Sequence, residues 1–117
     1  MAEGFARAHG ADVMMAESAG LAPALLVARN TIRIMAEKSI DISAHSPKTF
    51  EPERASDYDL VVNMSGYDLP PGVTAPARSW DIVDPIGQTD EVYRQVRDQV
   101  EGLILSLINE LRREAGS

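Results

Sequence analysis

The stretch Asp59-Leu60-Val61-Val62-Asn63-Met64 decides the fold class of this 117-residue chain. A polar lead-in is followed by a short apolar run rich in β-branched residues, which predicts a strand over Leu60–Met64. The run Val13-Met14-Met15-Ala16 shows no alternation and predicts a strand over Asp12–Glu17 that is covered on both faces. A third strand, which contains Trp80, is predicted over Ala77–Ile82.

Helical patterns separate these strands, and the longest one follows Thr89. Thr89 is a good N-cap residue, and the acidic Asp90 and Glu91 occupy the first turn, where the helix dipole favours anions. Gly102 lowers the helix propensity by about 1 kcal/mol relative to alanine, and we expect it to allow close packing. The apolar residues step by three or four and form one stripe: Val92, Val96, Val100, Leu103, Ile104, Leu107, Ile108 and Leu111.

Three shorter helical patterns precede it. Met1–His9 predicts a helix that stops at Gly10, and Lys48–Ala55 predicts one or two helical turns. Residues 18–38 allow either one long helix or a loop followed by a shorter helix that Asn30 caps. We prefer the second interpretation, which places Pro23 in the loop and buries three residues of the helix: Ile32, Met35 and Ala36. The alternation of helices and strands predicts a single α/β domain over residues 1–117.

Composition excludes several classes of function. The net charge of −7 argues against binding to a nucleic-acid backbone, which requires a basic face. The sequence contains no cysteine, so this chain has no disulfide, thiolate metal site or cysteine nucleophile. His9 and His45 match no metal-ligand spacing, and we expect neither a metal nor another cofactor. No apolar run is long enough to span a membrane and Met1–Gly4 lacks signal-peptide features, so we expect a cytoplasmic protein.

Five segments, in order, resemble the low-molecular-weight protein tyrosine phosphatases and the related thioredoxin-coupled arsenate reductases. Together they cover nearly the whole chain, and the terminal helix also fits that family. The amino-acid sequences of the first and last segments are closer to those of the arsenate reductases. The segments are Met1–Arg7, Ser18-Ala19-Gly20, Asn30–Ser43, Asp59–Met64 and Trp80-Asp81-Ile82-Val83-Asp84-Pro85.

The resemblance implies a three-layer fold with a mostly parallel sheet and flanking helices. In the family, a first strand and a Cys-x5-Arg-Ser/Thr phosphate loop precede the Met-Ala-Glu-Gly segment, and here the chain begins at that segment. No residue of this sequence corresponds to the nucleophilic cysteine or to the oxyanion-binding arginine. The positions of the two resolving cysteines of the reductases correspond to Ser65 and Leu69, which cannot form a disulfide.

The catalytic residue that the resemblance carries over is Asp84. In the family, the aspartate of an Asp-Pro loop donates a proton to the leaving group. Read without that resemblance, Asp84-Pro85 is a solvent-exposed turn. Ser18 is interpreted equally well as a turn residue or as a residue near the phosphate loop, and Ser65 is read as a strand-end hydroxyl.

The family's first strand is central in the sheet, so its loss would leave two open edges facing a gap. The remaining strands could rearrange, with Asp12–Glu17 pairing directly with Leu60–Met64. Alternatively, a homodimer could complete the sheet, or the native chain could be longer. We expect one of the first two solutions.

Two functions from different classes follow from the resemblance. The first is a family member that is catalytically incompetent as this chain and binds phosphate or arsenate weakly. The alternative is an active phosphatase or arsenate reductase whose true N-terminus lies upstream of Met1. A generic α/β interaction module is a third interpretation, which the five ordered segments disfavour.

Overall fold

The computed structural model describes residues 1–19, 29–44, 51–55, 57–64, 68–69, 71–83 and 88–115. Within these ranges, no helix is long and apolar enough to cross a membrane. The helices and strands, numbered in chain order, are α1 (Ala2–Gly10), α2 (Arg29–Ala36), α3 (Pro52–Ala55), β1 (Val61–Asn63), β2 (Ala77–Ser79) and α4 (Asp90–Ala115).

The strands β1 and β2 run parallel, with Val61 opposite Ala77 and Asn63 opposite Ser79. The backbone N–H of Val61 donates to the carbonyl of Pro76 at 2.9 Å, and the N–H of Trp80 donates to the carbonyl of Asn63 at 2.9 Å. A parallel pair flanked by helices confirms the predicted α/β class. Both strands are shorter than predicted because the ladder extends only as far as both partners run side by side.

Helix α4 confirms the prediction from the apolar stripe. It begins at Asp90, and the backbone N–H of Val92 donates to the hydroxyl of Thr89 at 3.4 Å. The helix packs against α1 and α2 and supplies much of the core. The buried cluster comprises Phe5, Ala6, Met35, Ile40, Ile42, Val96, Val100, Ile104 and Ile108.

The predicted strand over Asp12–Glu17 is wrong. Residues 11–13 form a turn, and residues 14–19 are not assigned to a strand. Val13, Met14 and Ala16 pack against the core, whereas Met15 is 96% exposed. The segment is held by side-chain packing, and among the described residues the sheet contains only β1 and β2, so the direct pairing with Leu60–Met64 does not form.

Two expectations about α2 also need correction. The helix has begun by Arg29, so Asn30 lies within it and does not cap it. Ile34 and Met35 are fully buried, whereas Ala36 is exposed because α2 turns its Ile34 side towards α4. The loop that was predicted around Pro23 falls in residues 20–28, outside the described ranges.

Gly102 does not mediate close packing. It is exposed, and a Cβ atom at this position would meet no packed neighbour within 4 Å among the described residues. We therefore expect Gly102→Ala to raise the free energy of unfolding by about 0.5–1 kcal/mol, since glycine is costly inside a helix. Urea denaturation measures this change. A loss of stability in Gly102→Ala would refute this expectation. In contrast, we expect Gly4→Ala to destabilise the fold, because its Cβ would lie 2.8 Å from Cγ2 of Ile42.

Candidate active site

The residues that follow β2 are fixed at the carboxyl edge of the parallel pair. The side chains of Trp80 and Ile82 pack against the core, and the backbone of Trp80 bonds to Asn63, the last residue of β1. One residue further on, the carbonyl of Asp81 accepts a hydrogen bond of 3.1 Å from Nε2 of Gln99 on α4. Ligands of parallel α/β sheets bind at the carboxyl ends of the strands, so this edge is the candidate site.

Asp84, the predicted general acid, and Pro85 lie outside the described residues, as do His45 and Ser65. The last described residue before Asp84 is Val83, which is 63% exposed. The structure thus brings the residues before Asp84 to the candidate edge, while the role of its carboxylate stays a prediction.

Ser18 contacts α1. Its hydroxyl donates to a carboxylate oxygen of Glu3 at 2.6 Å, and that carboxylate lies 3.1 Å from the guanidinium of Arg7. Arg7 also donates to the carbonyl of Ala16 at 3.2 Å. These bonds tie the segment over residues 14–19 to α1.

A second contact ties the same segment to the turn before β1. The Tyr58 hydroxyl donates to the Glu17 carboxylate, and this hydrogen bond raises the pKa of Tyr58 above its usual range. Glu51, Asp57 and Asp59 are exposed nearby. Across the described ranges, no three His, Cys, Asp or Glu side chains form a group that could hold a metal ion.

A cluster of charged residues joins α2 to α4, and sequence reasoning missed it. Arg97 is only 7% exposed and donates to the carbonyl of Ile34 at 3.1 Å and to the carboxylates of Glu37 at 2.7 Å and Asp98 at 2.9 Å. Burial lowers the pKa of Arg97, but the hydrogen bonds to Asp98 and Glu37 raise it by a larger amount. The pKa therefore lies above its usual value, and the guanidinium stays charged. Arg97 lies outside the apolar stripe predicted for α4, so the sequence carries no signal for its burial.

Glu37 makes this cluster sensitive to acid. Hydrogen bonds from Arg94 and Arg97 lower the pKa of its carboxyl from 4.5 to about 2. A depressed carboxyl pKa contributes stability above pH 4.5 that is lost progressively as the pH falls towards 2. We expect Glu37→Gln to flatten the fall in urea midpoint between pH 4.5 and 2. Parallel pH curves for wild type and variant would contradict this.

The comparisons with known proteins agree with the resemblance. Residues 1–69 match the family described as low molecular weight phosphotyrosine protein phosphatase. The glutaredoxin arsenate reductase of Synechocystis is 40% identical over 112 residues, which cover 92% of this chain and 85% of that protein. Arsenate reductase 1 of Bacillus cereus is 31% identical over 104 residues, with coverages of 86% and 77%.

Solved structures extend this likeness to three dimensions. A structure described as an arsenate reductase in the phosphate binding state matches this chain with a TM-score of 0.83 at 36% identity. The match covers 94% of this chain and 86% of that one. It therefore includes most of the elements described above.

Proposed function

The chain belongs to the low molecular weight phosphotyrosine protein phosphatase family, and from this membership we propose that these 117 residues form a catalytically incompetent member of it. The observation that carries the proposal is the complete absence of cysteine from the sequence. The chemistry that the resemblance implies begins with attack of a thiolate on phosphorus or arsenic, and no residue of this chain supplies a thiolate.

Asp84 is the inherited general-acid position in this proposal. A general acid protonates a leaving group only while a nucleophile displaces that group. The anchored residues 80–83 support the delivery of Asp84 to the carboxyl edge of the sheet, where a phosphate or arsenate ion would bind. The proposed activity of the cytoplasmic chain is therefore weak oxyanion binding without turnover.

The partner in the proposal is a second copy of the chain. Val61 and Asn63 direct their backbone polar groups towards β2, so those of Val62 face the opposite edge of β1. No described strand pairs with that edge, and open edges are templates for further pairing. A homodimer in which two chains complete one sheet would cover them.

The experiment is an assay of p-nitrophenyl phosphate hydrolysis by the purified 117-residue protein, together with its mass in solution by light scattering. We expect no turnover, no difference between the wild type and Asp84→Ala, and a dimer mass. Turnover that disappears in Asp84→Ala would overturn the proposed incompetence. A stable monomer mass would overturn the proposed homodimer.

The alternative is an active phosphatase or arsenate reductase whose native N-terminus lies upstream of Met1. The observation in its favour is that the chain spans 86% of the solved arsenate reductase that it matches. The DNA before the Met1 codon separates the two functions. An in-frame Cys-x5-Arg-Ser sequence would establish the alternative, whereas an in-frame stop codon would support the incompetent form.

A further inference from the structure

The five methionines of the sequence all lie among the described residues, and the surroundings of their sulfur atoms differ. Met35 is fully buried in the core, and Met1 and Met14 are partly buried against it. Met64 is partly buried as well. Of the five, Met15 alone is exposed, with 96% of its surface open to solvent. Because the sequence has no cysteine, these thioethers are its only sulfur atoms.

The exposure of Met15 follows from the contacts made on either side of it. The side chains of Met14 and Ala16 pack against the core. The backbone N–H of Met14 donates to the carbonyl of Gly10 at 3.0 Å, and the carbonyl of Ala16 accepts the bond from Arg7 at 3.2 Å. These contacts hold the chain before and after Met15 and leave its side chain in solvent.

We propose that Met15 is a methionine oxidation site, where a hydroperoxide forms a sulfoxide before it reacts with any other sulfur of the chain. A lone pair of the thioether sulfur attacks one peroxide oxygen, so that an S–O bond forms while the O–O bond breaks. The sulfur is oxidised by two electrons and the peroxide is reduced. The proton of the transferred OH group passes through solvent to the departing oxygen, which leaves as water when the oxidant is hydrogen peroxide.

Oxidation at this position leaves the fold intact. A sulfoxide is polar, and it disrupts packing where the methionine is buried. At Met35 or Met14 it would bring a polar group against the core, which is costly where that group lacks a hydrogen-bond partner. At Met15 the sulfoxide stays in water. The site therefore consumes one equivalent of hydroperoxide while the packing of the core is retained, and it requires no thiolate.

The test treats the purified 117-residue protein with one equivalent of hydrogen peroxide at neutral pH. Peptide mass spectrometry follows the uptake of oxygen, and fragment ions separate Met14 from Met15. We expect Met15 to react at least about tenfold faster than Met35, since a buried sulfur becomes accessible only when the core opens. In concentrated urea the two rates should converge, and the urea midpoint of the singly oxidised protein should equal that of the untreated protein.

Two pairs of variants supply matched controls. Met15→Leu should remove the fast phase of oxygen uptake, whereas Met14→Leu, a swap of similar volume, should leave the rate at Met15 unchanged. Met15→Gln places a polar group where the sulfoxide would form and should keep the urea midpoint of the parent. Met35→Gln places the same group in the core and should lower that midpoint.

Equal oxidation rates at Met15 and Met35 in the folded protein would overturn the proposed site, as would faster oxidation at Met1, Met14 or Met64. A fast phase that persists in Met15→Leu would overturn it too, because another group would then react first. A lower urea midpoint after oxidation at Met15, or in Met15→Gln, would refute the tolerance of the fold for the sulfoxide. None of these readouts depends on turnover, so the oxidation site and the proposed function can fail separately.

Discussion

A chain in which the family's first strand and Cys-x5-Arg loop are joined ahead of Met1 should hydrolyse p-nitrophenyl phosphate, and Asp84→Asn should lower its kcat about 10²–10⁴-fold. The added segment supplies the nucleophile, and the proton from Asp84 then has a leaving group to receive it. Asparagine keeps the size of the side chain but has no acidic proton, so the loss would report the acid role. Steady-state kinetics with p-nitrophenyl phosphate measures the change.

Asp81→Asn is the matched control in that joined chain. Asp81 is exposed in the same segment, and it contributes a backbone carbonyl to the bond with Gln99, which the substitution retains. We expect its kcat to stay close to that of the parent. Equal losses of kcat in Asp81→Asn and Asp84→Asn would contradict the general-acid assignment. An unchanged kcat in both variants would contradict it as well.

Phe5→Ala should give the largest loss of stability, about 3–5 kcal/mol. The residue has no exposed surface, and its ring stacks on that of His9 with centroids 6.1 Å apart. A domain has only about 5–15 kcal/mol of stability in total, so this loss is a large fraction of it. Urea denaturation followed by circular dichroism measures the difference.

Leu105→Ala is the control for this deletion, because Leu105 is 40% exposed on α4. We expect its effect to be far smaller, since fewer of its contacts are lost. Where Phe5→Ala does not fold, Phe5→Leu keeps most of the apolar volume and permits a graded measurement. Similar costs for Phe5→Ala and Leu105→Ala would contradict the burial of Phe5 in the core.

Elements with a local sequence signal could be predicted, whereas elements that depend on distant neighbours could not. The stripe of α4 repeats over twenty residues, from Val92 to Leu111. The N-cap residue and the acidic residues of the first turn agree with it, so the helix could be predicted without knowledge of its neighbours. The strand prediction for Asp12–Glu17 failed because hydrophobicity reports burial, whereas strand formation also requires a hydrogen-bonded neighbour. Val13 and Met14 pack against the core, but among the described residues they have no hydrogen-bonded neighbouring strand.

The same distinction applies to the candidate site, where features contiguous in sequence could be predicted and contacts between distant residues could not. Trp80 and the approach to Asp84 could be found because they are contiguous in sequence. The contacts of Arg97 with Glu37, and of Gln99 with the carbonyl of Asp81, join residues 60 and 18 positions apart. Such pairings depend on how α4 is rotated against its neighbours, and a single sequence does not specify that rotation.

The packing of α1 against α4 also constrains how the polypeptide folds during synthesis. Arg112 pairs with Asp12 across 100 residues, and Phe5 shares one cluster with Ile108. A nascent chain that has released α1 cannot complete its burial until α4 has emerged, so part of its apolar face stays open to chaperones throughout that interval. Contacts between such distant segments must overcome loop-closure entropy, which makes slow folding with a late, cooperative collapse the expected kinetic behaviour.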